Sequence, residues 1–266
     1  MNIVIQGAAG RMGCMLIRHV LAAQDMVLAG ATDRPDASSI GQDAATLAGL
    51  TEPCGVVVGD DLHDSLATAH ALIDFSSPAS TVAASALAAQ AKAVHVIGTT
   101  GLSNEDAGHL ERAARHTPVV WADNMSLGVT LLSALVEQTA ARLGESFDIE
   151  IVEMHHRHKV DAPSGTALAL GRSAAKGRGV ALDDVAARGR DGITGARRDG
   201  DIGFAALRGG EVIGDHTAIF AGAGERLELS HKASSRDIYA HGALTALRWA
   251  VGKPPGLYSM RDVLNL

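Results

Sequence analysis

The first half of the chain alternates short runs rich in β-branched residues with longer stretches whose apolar residues recur at helical spacing. The predicted strands are residues 3–6, 26–32, 71–75, 93–97 and 119–122. The predicted helices among them are residues 11–23, 80–91 and 104–116. Strands that alternate with crossover helices indicate a parallel sheet with right-handed connections. We therefore predict a doubly wound α/β domain for this half.

The pattern changes from about Leu127 onward. A predicted helix, residues 129–143, leads to a stretch in which polar Asp148 and Glu150 alternate with apolar Ile149 and Ile151, as in a strand with one wet face. A second helix is predicted at 164–176, and short glycine-bounded strands at 202–207, 211–214, 216–220 and 226–231. This half therefore predicts a second, α+β domain with a mixed or antiparallel sheet.

Length and composition agree with two globular domains. The chain has 266 residues, 47% of them hydrophobic and 20% charged, which is ample apolar material for two cores. A net charge of −7 without a basic block, together with 3% aromatic residues, argues against nucleic-acid binding. No apolar run approaches the length of a membrane span, and the first residues lack a secretory signal pattern. We expect a cytoplasmic protein.

A glycine-rich turn, GAAGRMG at Gly7–Gly13, follows the first predicted strand and opens the first helix. Such a turn lets backbone N–H groups approach a pyrophosphate, whose charge the helix N-terminus stabilises. Asp33, beyond the second strand, is placed to accept hydrogen bonds from an adenosine ribose. Arg34 beside it favours a 2′-phosphate, so both NADH and NADPH fit the pattern. The alternative is an ordinary strand-to-helix turn with a solvated Asp33.

The stretch EMHHRHKVDAPSGTA, residues 153–167, combines three histidines with other cations before a Pro-Ser-Gly turn. A metal site is disfavoured, because HHRH lacks ligand spacing and Arg157 and Lys159 repel a divalent ion. A helix N-terminus at Gly165 and Thr166 would instead suit a carboxylate. Histidine titrates near neutrality, so the stretch is a candidate acid–base site for a small anion. A solvated charged loop is the alternative.

The same stretch resembles the signature of the 4-hydroxy-tetrahydrodipicolinate reductase family, also called the dihydrodipicolinate reductase family, of lysine biosynthesis. Other family-like segments occur in order along nearly the whole chain. They are GAAGRMG at 7–13, DFSSP at 74–78, GTTG at 98–101, NMSLG at 124–128, GDHTAIFAGAGERLELSHKASSR at 214–236 and GLYSMRDVL at 256–264. The glycine turn alone is a weak indicator, whereas the histidine-rich signature is highly specific.

The resemblance implies a Rossmann-like dinucleotide-binding domain, residues 1–126 joined by the C-terminal segment 236–266, and a substrate-binding and oligomerisation domain, residues 127–235. It implies NADH- or NADPH-dependent reduction of 4-hydroxy-tetrahydrodipicolinate to tetrahydrodipicolinate, with loss of water, in the diaminopimelate pathway. It also implies a homotetramer, for which the apolar strands near 213–229 are the candidate interface.

The resemblance also assigns roles to residues. His155 would be the proton donor or acceptor and Lys159 a second proton donor. The dicarboxylate would be held by His156, Gly165 and Thr166. The cofactor would be lined by residues of four segments: Gly7, Ala8, Ala9, Gly10, Arg11 and Met12; Asp33 and Arg34; Gly98, Thr99 and Thr100; and Ala122, Asp123, Asn124 and Met125. Asp123 and Met125 depart from the family pattern, which puts the local packing near the nicotinamide in doubt.

Two other functions remain open on the residues alone. An amino-acid or 2-oxo-acid dehydrogenase on the same scaffold would differ only in substrate, and an activity assay separates it from the reductase. A regulator that senses a nucleotide without turnover would need an operator or partner surface, and the absence of a basic patch counts against it. Arg157 and His158 have no assigned role.

Overall fold

The computed structural model describes residues 1–266, which divide into two compact units. The first unit contains Met1–Ser126 and Asp237–Asn265, and the second contains Leu127–Arg236 together with Leu266. The chain therefore leaves the first unit once and returns to it through a C-terminal segment.

The first unit is built on seven strands with helices between them. Its elements, in chain order, are β1 (Asn2–Gln6), α1 (Arg11–Ala22), β2 (Val27–Thr32), α2 (Ala44–Leu47), β3 (Val58–Gly59), α3 (Leu62–Leu66), β4 (Ala71–Asp74), α4 (Pro78–Ala91), β5 (Val94–Ile97), α5 (Asn104–Ala113), β6 (Pro118–Trp121) and, after the second unit, α9 (Asp237–Ala250), β12 (Gly256–Tyr258) and α10 (Met260–Val263).

The seven strands form one parallel sheet in the order β12-β6-β5-β4-β1-β2-β3. Every residue of β4 and of β5 is buried, which explains why these strands are mostly apolar and do not alternate with exposed polar residues; Asp74 and His95 are their buried polar members. The strand order reverses between β1 and β4, and ligands of such sheets bind beyond the carboxyl ends of the strands at this point.

The second unit places two long helices against a smaller sheet. Its elements, in chain order, are α6 (Leu127–Leu143), a 3₁₀ turn (Gly144–Ser146), β7 (Asp148–His155), α7 (Gly165–Arg178), α8 (Leu182–Val185), β8 (Ala186–Arg188), β9 (Ile202–Arg208), β10 (Gly214–Gly222) and β11 (Glu225–Ala233). The sheet order is β11-β10-β7-β9-β8. β10 is antiparallel to both β7 and β11, whereas β7, β9 and β8 are parallel. The predicted fold class, a parallel α/β unit plus a unit with a mixed sheet, is confirmed.

Strand β7 has one buried face that changes in character along its length. Ile149 and Ile151 are fully buried in a core formed with α6 and α7. Glu153 and His155 follow on the same face and are also buried, because side chains two residues apart on a strand point to the same side. The apolar core of this unit therefore passes directly into a polar cluster at the end of β7.

One predicted strand is wrong. The segment 211–214 was expected to form a strand of its own, but only Gly214 lies in a strand, as the first residue of β10. The backbone at 210–212 instead accepts hydrogen bonds from the loop after β7, from His156 N–H to Val212 O (2.7 Å) and from Arg157 N–H to Gly210 O (3.2 Å). The turn is made possible by Gly210 at φ +53°.

The helices of the protein are all too short or too polar to cross a bilayer.

In the first unit, α9 lies close to the backbone that ends the predicted cofactor segment 122–125. A Cβ atom at Gly242 of α9 would lie 1.7 Å from the carbonyl oxygen of Met125, so glycine is required there. Helix α9 therefore supports a segment that the resemblance assigns to the cofactor.

Candidate active site

A buried carboxylate organises the polar end of β7. Glu153 is 1% exposed, and its two oxygens accept four hydrogen bonds from three other residues. Arg208 donates through Nη1 to Oε2 (2.8 Å) and through Nη2 to Oε1 (2.9 Å), while the Ser164 N–H donates to Oε1 (3.1 Å). Nδ1 of His155 lies 2.6 Å from Oε2. The carboxylate thus joins β7, β9 and the start of α7.

Electrostatics favour the ionised form of this carboxylate. Burial by itself would raise the pKa of Glu153, but the hydrogen bonds from Arg208 and His155 outweigh it and hold that pKa below its usual value. A buried charge is tolerable only when it is paired and hydrogen-bonded, and the two N–H groups of Arg208 meet that condition. Glu153 is therefore an anion with every lone pair occupied.

His216 and Ser164 lie close to each other beside His155. The hydroxyl of Ser164 caps α7 by accepting the Ala167 N–H (3.2 Å) and lies 3.0 Å from Nε2 of His216. The rings of His216 and His155 are 5.0 Å apart in an edge-on arrangement. Burial, and after it the charge of His155, lowers the pKa of His216 to about 4. His216 is therefore neutral at physiological pH, which limits the positive charge gathered in this cluster.

The N-terminus of α7 is open to a ligand. Gly165 is exposed, and a Cβ atom built on it would have no atom within 4 Å. The first N–H groups of a helix have no acceptor inside the helix and attract anions. Thr166 follows in the same turn and is half-buried. Gly165 and Thr166, the predicted carboxylate site, are thus the first two residues of α7.

His156 and Lys159 come from the loop between β7 and α7. Burial lowers the pKa of His156, and the positive charges of Arg236, His155, His158 and Lys159 lower it further. These cations all lie within electrostatic range of one ring, as a site for a small anion requires. Nζ of Lys159 bonds to Oδ1 of Asp161 (2.7 Å), so part of its charge is already neutralised.

The three neighbouring histidines have different surroundings. His155 is buried on Glu153, His156 is half-buried, and His158 is exposed with its ring 6.2 Å from that of His156. His155 is thus the one held by a carboxylate, as a proton-transfer group would be. Arg157 is exposed and, like His158, receives no role from the geometry.

In the first unit, the glycine turn after β1 has the close packing that the motif predicts. Gly7 has φ +76°, and a Cβ atom at Gly13 would lie 2.1 Å from the Gly7 carbonyl oxygen. The N-terminus of α1 is thereby drawn tightly against the turn. Ala8 is buried, whereas Ala9, Gly10 and Arg11 are exposed and Met12 is half-buried. Gly7 and Gly10 of the turn line a cavity of about 490 Å³, which is also lined by Thr32, Asp33, Arg34 and Ser76.

Asp33 is tied to the glycine turn. Its Oδ2 accepts the Ala9 N–H (2.7 Å) and its Oδ1 accepts the Arg34 N–H (2.8 Å). A carboxylate offers about four acceptor positions, so two remain for the hydroxyls of a ribose. The side chain of Arg34 is exposed and reaches Asp36, with 3.1 Å between Nε and Oδ1. Such an exposed pair is weak, which leaves the guanidinium able to bind a phosphate.

The remaining predicted cofactor residues follow β5 and β6. Thr99 is buried and accepts hydrogen bonds from the Ser76 N–H (3.0 Å) and the Thr81 hydroxyl (2.8 Å). Its side chain therefore links the loop after β4 and helix α4 to the end of β5. Gly98 packs against Phe75, since a Cβ atom there would lie 2.1 Å from that ring, and Thr100 is exposed. Asp123 is exposed, Ala122 and Asn124 are half-buried and Met125 is buried. Asn124 Oδ1 accepts the Ser126 N–H (2.9 Å).

Residue patterns did not identify Glu153, Arg208 or His216 as site residues. A signal for Glu153 was available, because it lies two residues before His155 on a strand and must share its face. Arg208 is 55 residues from Glu153 in sequence and comes opposite His155 only through the pairing of β7 with β9. His216 is likewise brought opposite Glu153 by the pairing of β7 with β10.

Both halves of the chain match known family descriptions. Residues 1–125 match "Dihydrodipicolinate reductase, N-terminus", and residues 128–264 match "Dihydrodipicolinate reductase, C-terminus". A 4-hydroxy-tetrahydrodipicolinate reductase of Parvibaculum lavamentivorans is 58% identical over 265 residues, covering 100% of this chain and 98% of that protein. A protein of the same name from Rhodopseudomonas palustris strain HaA2 is 57% identical over 266 residues, with the same coverage.

A solved structure shows the same fold. The dipicolinate-bound dihydrodipicolinate reductase from Paenisporosarcina sp. TG-14 superposes with a TM-score of 0.76. The alignment covers 98% of each chain, with 24% sequence identity. The two-unit architecture is therefore shared over nearly the full length.

Proposed function

The chain belongs to the dihydrodipicolinate reductase family, and from that membership we propose that it reduces 4-hydroxy-tetrahydrodipicolinate to tetrahydrodipicolinate with loss of water. The observation that carries the proposal is the cluster at the end of β7, where buried His155 and the N-terminus of α7 are held by one carboxylate, Glu153. A proton donor beside a site for a carboxylate suits a small dicarboxylate substrate. The reaction belongs to the diaminopimelate route to lysine.

The cofactor of the proposed reaction is NADH or NADPH. The turn at Gly7–Gly13 suits a dinucleotide, since a side chain at Gly13 would push α1 away and Asp33 lines the cavity beside it. Residues that would hold the nucleotide are Gly7, Ala8, Ala9, Gly10, Arg11, Met12, Asp33 and Arg34, with Gly98–Thr100 and Ala122–Met125 toward the nicotinamide. When bound, the cofactor supplies a hydride for C4 of the substrate ring.

The substrate carboxylates are proposed to bind at the start of α7. Backbone N–H groups of Gly165 and Thr166 offer hydrogen bonds there, and the open space over Gly165 admits a ligand. His156 adds a donor, because its half-buried ring lies among several cations. An anion in this position relieves the mutual repulsion of those cations, which contributes to its binding.

His155 is proposed to exchange a proton with the substrate through Nε2. Its other ring nitrogen is directed to Glu153, so the ring is oriented before substrate binds. Lys159 is proposed as the second proton donor. Its ammonium group is paired with Asp161 at 2.7 Å and would have to exchange that partner for substrate.

Cytoplasmic location and a homotetrameric state complete the proposal. Exposed leucines of the second unit, Leu131, Leu135, Leu207 and Leu227, are 41–50% exposed and support a contact with other copies of the chain. Light scattering of the purified protein tests the tetramer, which a mass of one or two chains would contradict.

An assay of cofactor oxidation tests the function. The unstable substrate is generated in place by condensing pyruvate with aspartate semialdehyde, and NADH or NADPH is added with the full-length protein. We expect oxidation that requires both the condensation product and the protein. No oxidation with either cofactor, or equal oxidation with ordinary 2-oxo acids, would contradict the proposal and favour another dehydrogenase.

A further inference from the structure

We propose that Glu153 is a positioning residue, which holds His155 in the form with its hydrogen on Nδ1 and so reserves Nε2 for proton exchange. This assignment rests on the proposed function for its catalytic meaning. The geometry that supports it lies within the second unit. Arg208 completes the arrangement by fixing the carboxylate.

The hydrogen between the two side chains belongs to His155. Oε2 of Glu153 lies 2.6 Å from Nδ1, and the carboxylate also receives two charge-assisted hydrogen bonds from Arg208. An ionised carboxylate can only accept hydrogen bonds. Nδ1 must therefore carry the hydrogen, and in a neutral ring Nε2 is then the free base.

Space around Nε2 is kept open by a glycine. A Cβ atom at Gly214 would lie 3.0 Å from Nε2 of His155 and 3.4 Å from Cδ2, which is closer than side chains normally pack. Gly214 lies opposite the end of β7, at the first position of β10. A side chain at this position would therefore crowd Nε2 of His155, and glycine avoids that contact.

The same carboxylate also positions the anion site. Oε1 accepts the N–H of Ser164, the residue that caps α7, at 3.1 Å. Arg208 additionally donates to the carbonyl oxygen of Asp161 at 2.6 Å, so the loop before the helix is tied to β9. Glu153 and Arg208 therefore hold the proton donor and the helix N-terminus in one rigid arrangement.

Glu150 offers a matched control on the same strand. It is also a glutamate paired with an arginine, because Arg190 donates to its two oxygens at 2.9 and 2.8 Å. It lies on the opposite face of β7 from His155. Glu150→Gln removes the same charge from the same strand without touching the histidine cluster.

The direct test is the tautomer of His155 in the ligand-free, full-length protein. Isotope-labelled histidine and a long-range proton–nitrogen correlation spectrum, assigned with His155→Gln, report which nitrogen carries the hydrogen above neutral pH. We expect the Nδ1–H form in the wild type and in E150Q, and a shift toward the Nε2–H form in E153Q. A wild-type His155 ring mainly in the Nε2–H form would overturn the proposal. This measurement on the wild type stands even if the Glu153 variant does not fold.

Kinetics provide the second readout. We expect E153Q to lower kcat at least roughly tenfold, while E150Q stays within about twofold of the wild type. Unchanged kcat in a folded E153Q would overturn the proposal. If the wild type does not reduce the proposed substrate, the proposed function is wrong. The tautomer of His155 still tests, independently, whether Glu153 positions the ring.

Discussion

The glycine turn after β1 and the polar end of β7 offer different kinds of groups to their proposed ligands. The turn offers backbone N–H groups, and its shape depends on the absence of side chains at Gly7 and Gly13. The end of β7 depends on side chains, with Glu153 buried beneath His155 and bonded to Arg208 from another strand. The glycine turn itself is contained within one short segment, whereas the cluster at the end of β7 exists only when several distant segments have folded together.

Replacing His155 is expected to have the largest effect. His155→Ala removes the proposed proton donor and should lower kcat roughly a hundredfold or more, because a positioned general acid contributes about that much. Steady-state rates of NADH oxidation measure it. His158→Ala is the matched control, since His158 is exposed and has no assigned role, and its rate should stay near the wild-type value. Equal losses in both variants would contradict a specific role for His155.

The acid stability of the second unit should depend on His216. The folded pKa is about 4, below the usual value of 6.5, so an unfolded chain binds a proton that the folded protein refuses between these pH values. The free energy of unfolding should therefore fall as pH falls from 6.5 to about 4, by about 3 kcal/mol from this residue. Urea unfolding of wild type and His216→Gln across this range measures it. Parallel pH dependences would contradict the prediction.

The glycine turn should be sensitive to a single methyl group. Gly13→Ala places a Cβ atom 2.1 Å from the Gly7 carbonyl oxygen, so α1 must move and NADH should bind at least about tenfold more weakly. The free energy of unfolding should fall by about 1–3 kcal/mol. Fluorescence titration and urea unfolding measure the two effects.

Gly108→Ala is the control for that substitution. A Cβ atom at Gly108 in α5 would have only the Arg112 side chain at 3.6 Å, an ordinary contact, and alanine favours a helix. NADH affinity should be unchanged, with stability equal or up to about 1 kcal/mol higher. A similar loss of affinity in both variants would remove the special role of the turn.

The smallest effect concerns the choice of cofactor. Arg34→Ala removes an exposed guanidinium and should raise KM for NADPH about fivefold, while KM for NADH changes less than about twofold. Exposed charge pairs are weak, which limits the size of the change. The ratio of the two KM values measures it, and an equal change for both cofactors would show that Arg34 does not contact the 2′-phosphate.

Features that depend on short stretches of sequence could be predicted, whereas contacts between distant segments could not. The parallel sheet, the turn at Gly7–Gly13 and the buried face of β7 follow from local patterns, and the structure has these features. The pairing of Glu153 with Arg208 spans 55 residues and depends on the register of β7 with β9, which no local period determines. The prediction of a strand at 211–214 was wrong, because this part of the chain forms hydrogen bonds to the loop after β7 instead of pairing as a strand.

The most direct test of the proposed reaction is to trace the hydride from the cofactor to the product. NADH deuterated on the transferred position of the nicotinamide is given to the full-length protein with freshly condensed pyruvate and aspartate semialdehyde, and the product is analysed by mass spectrometry and NMR. We expect tetrahydrodipicolinate with one deuterium at C4. Product without deuterium at C4, or no product while the protein remains folded and binds NADH, would contradict it.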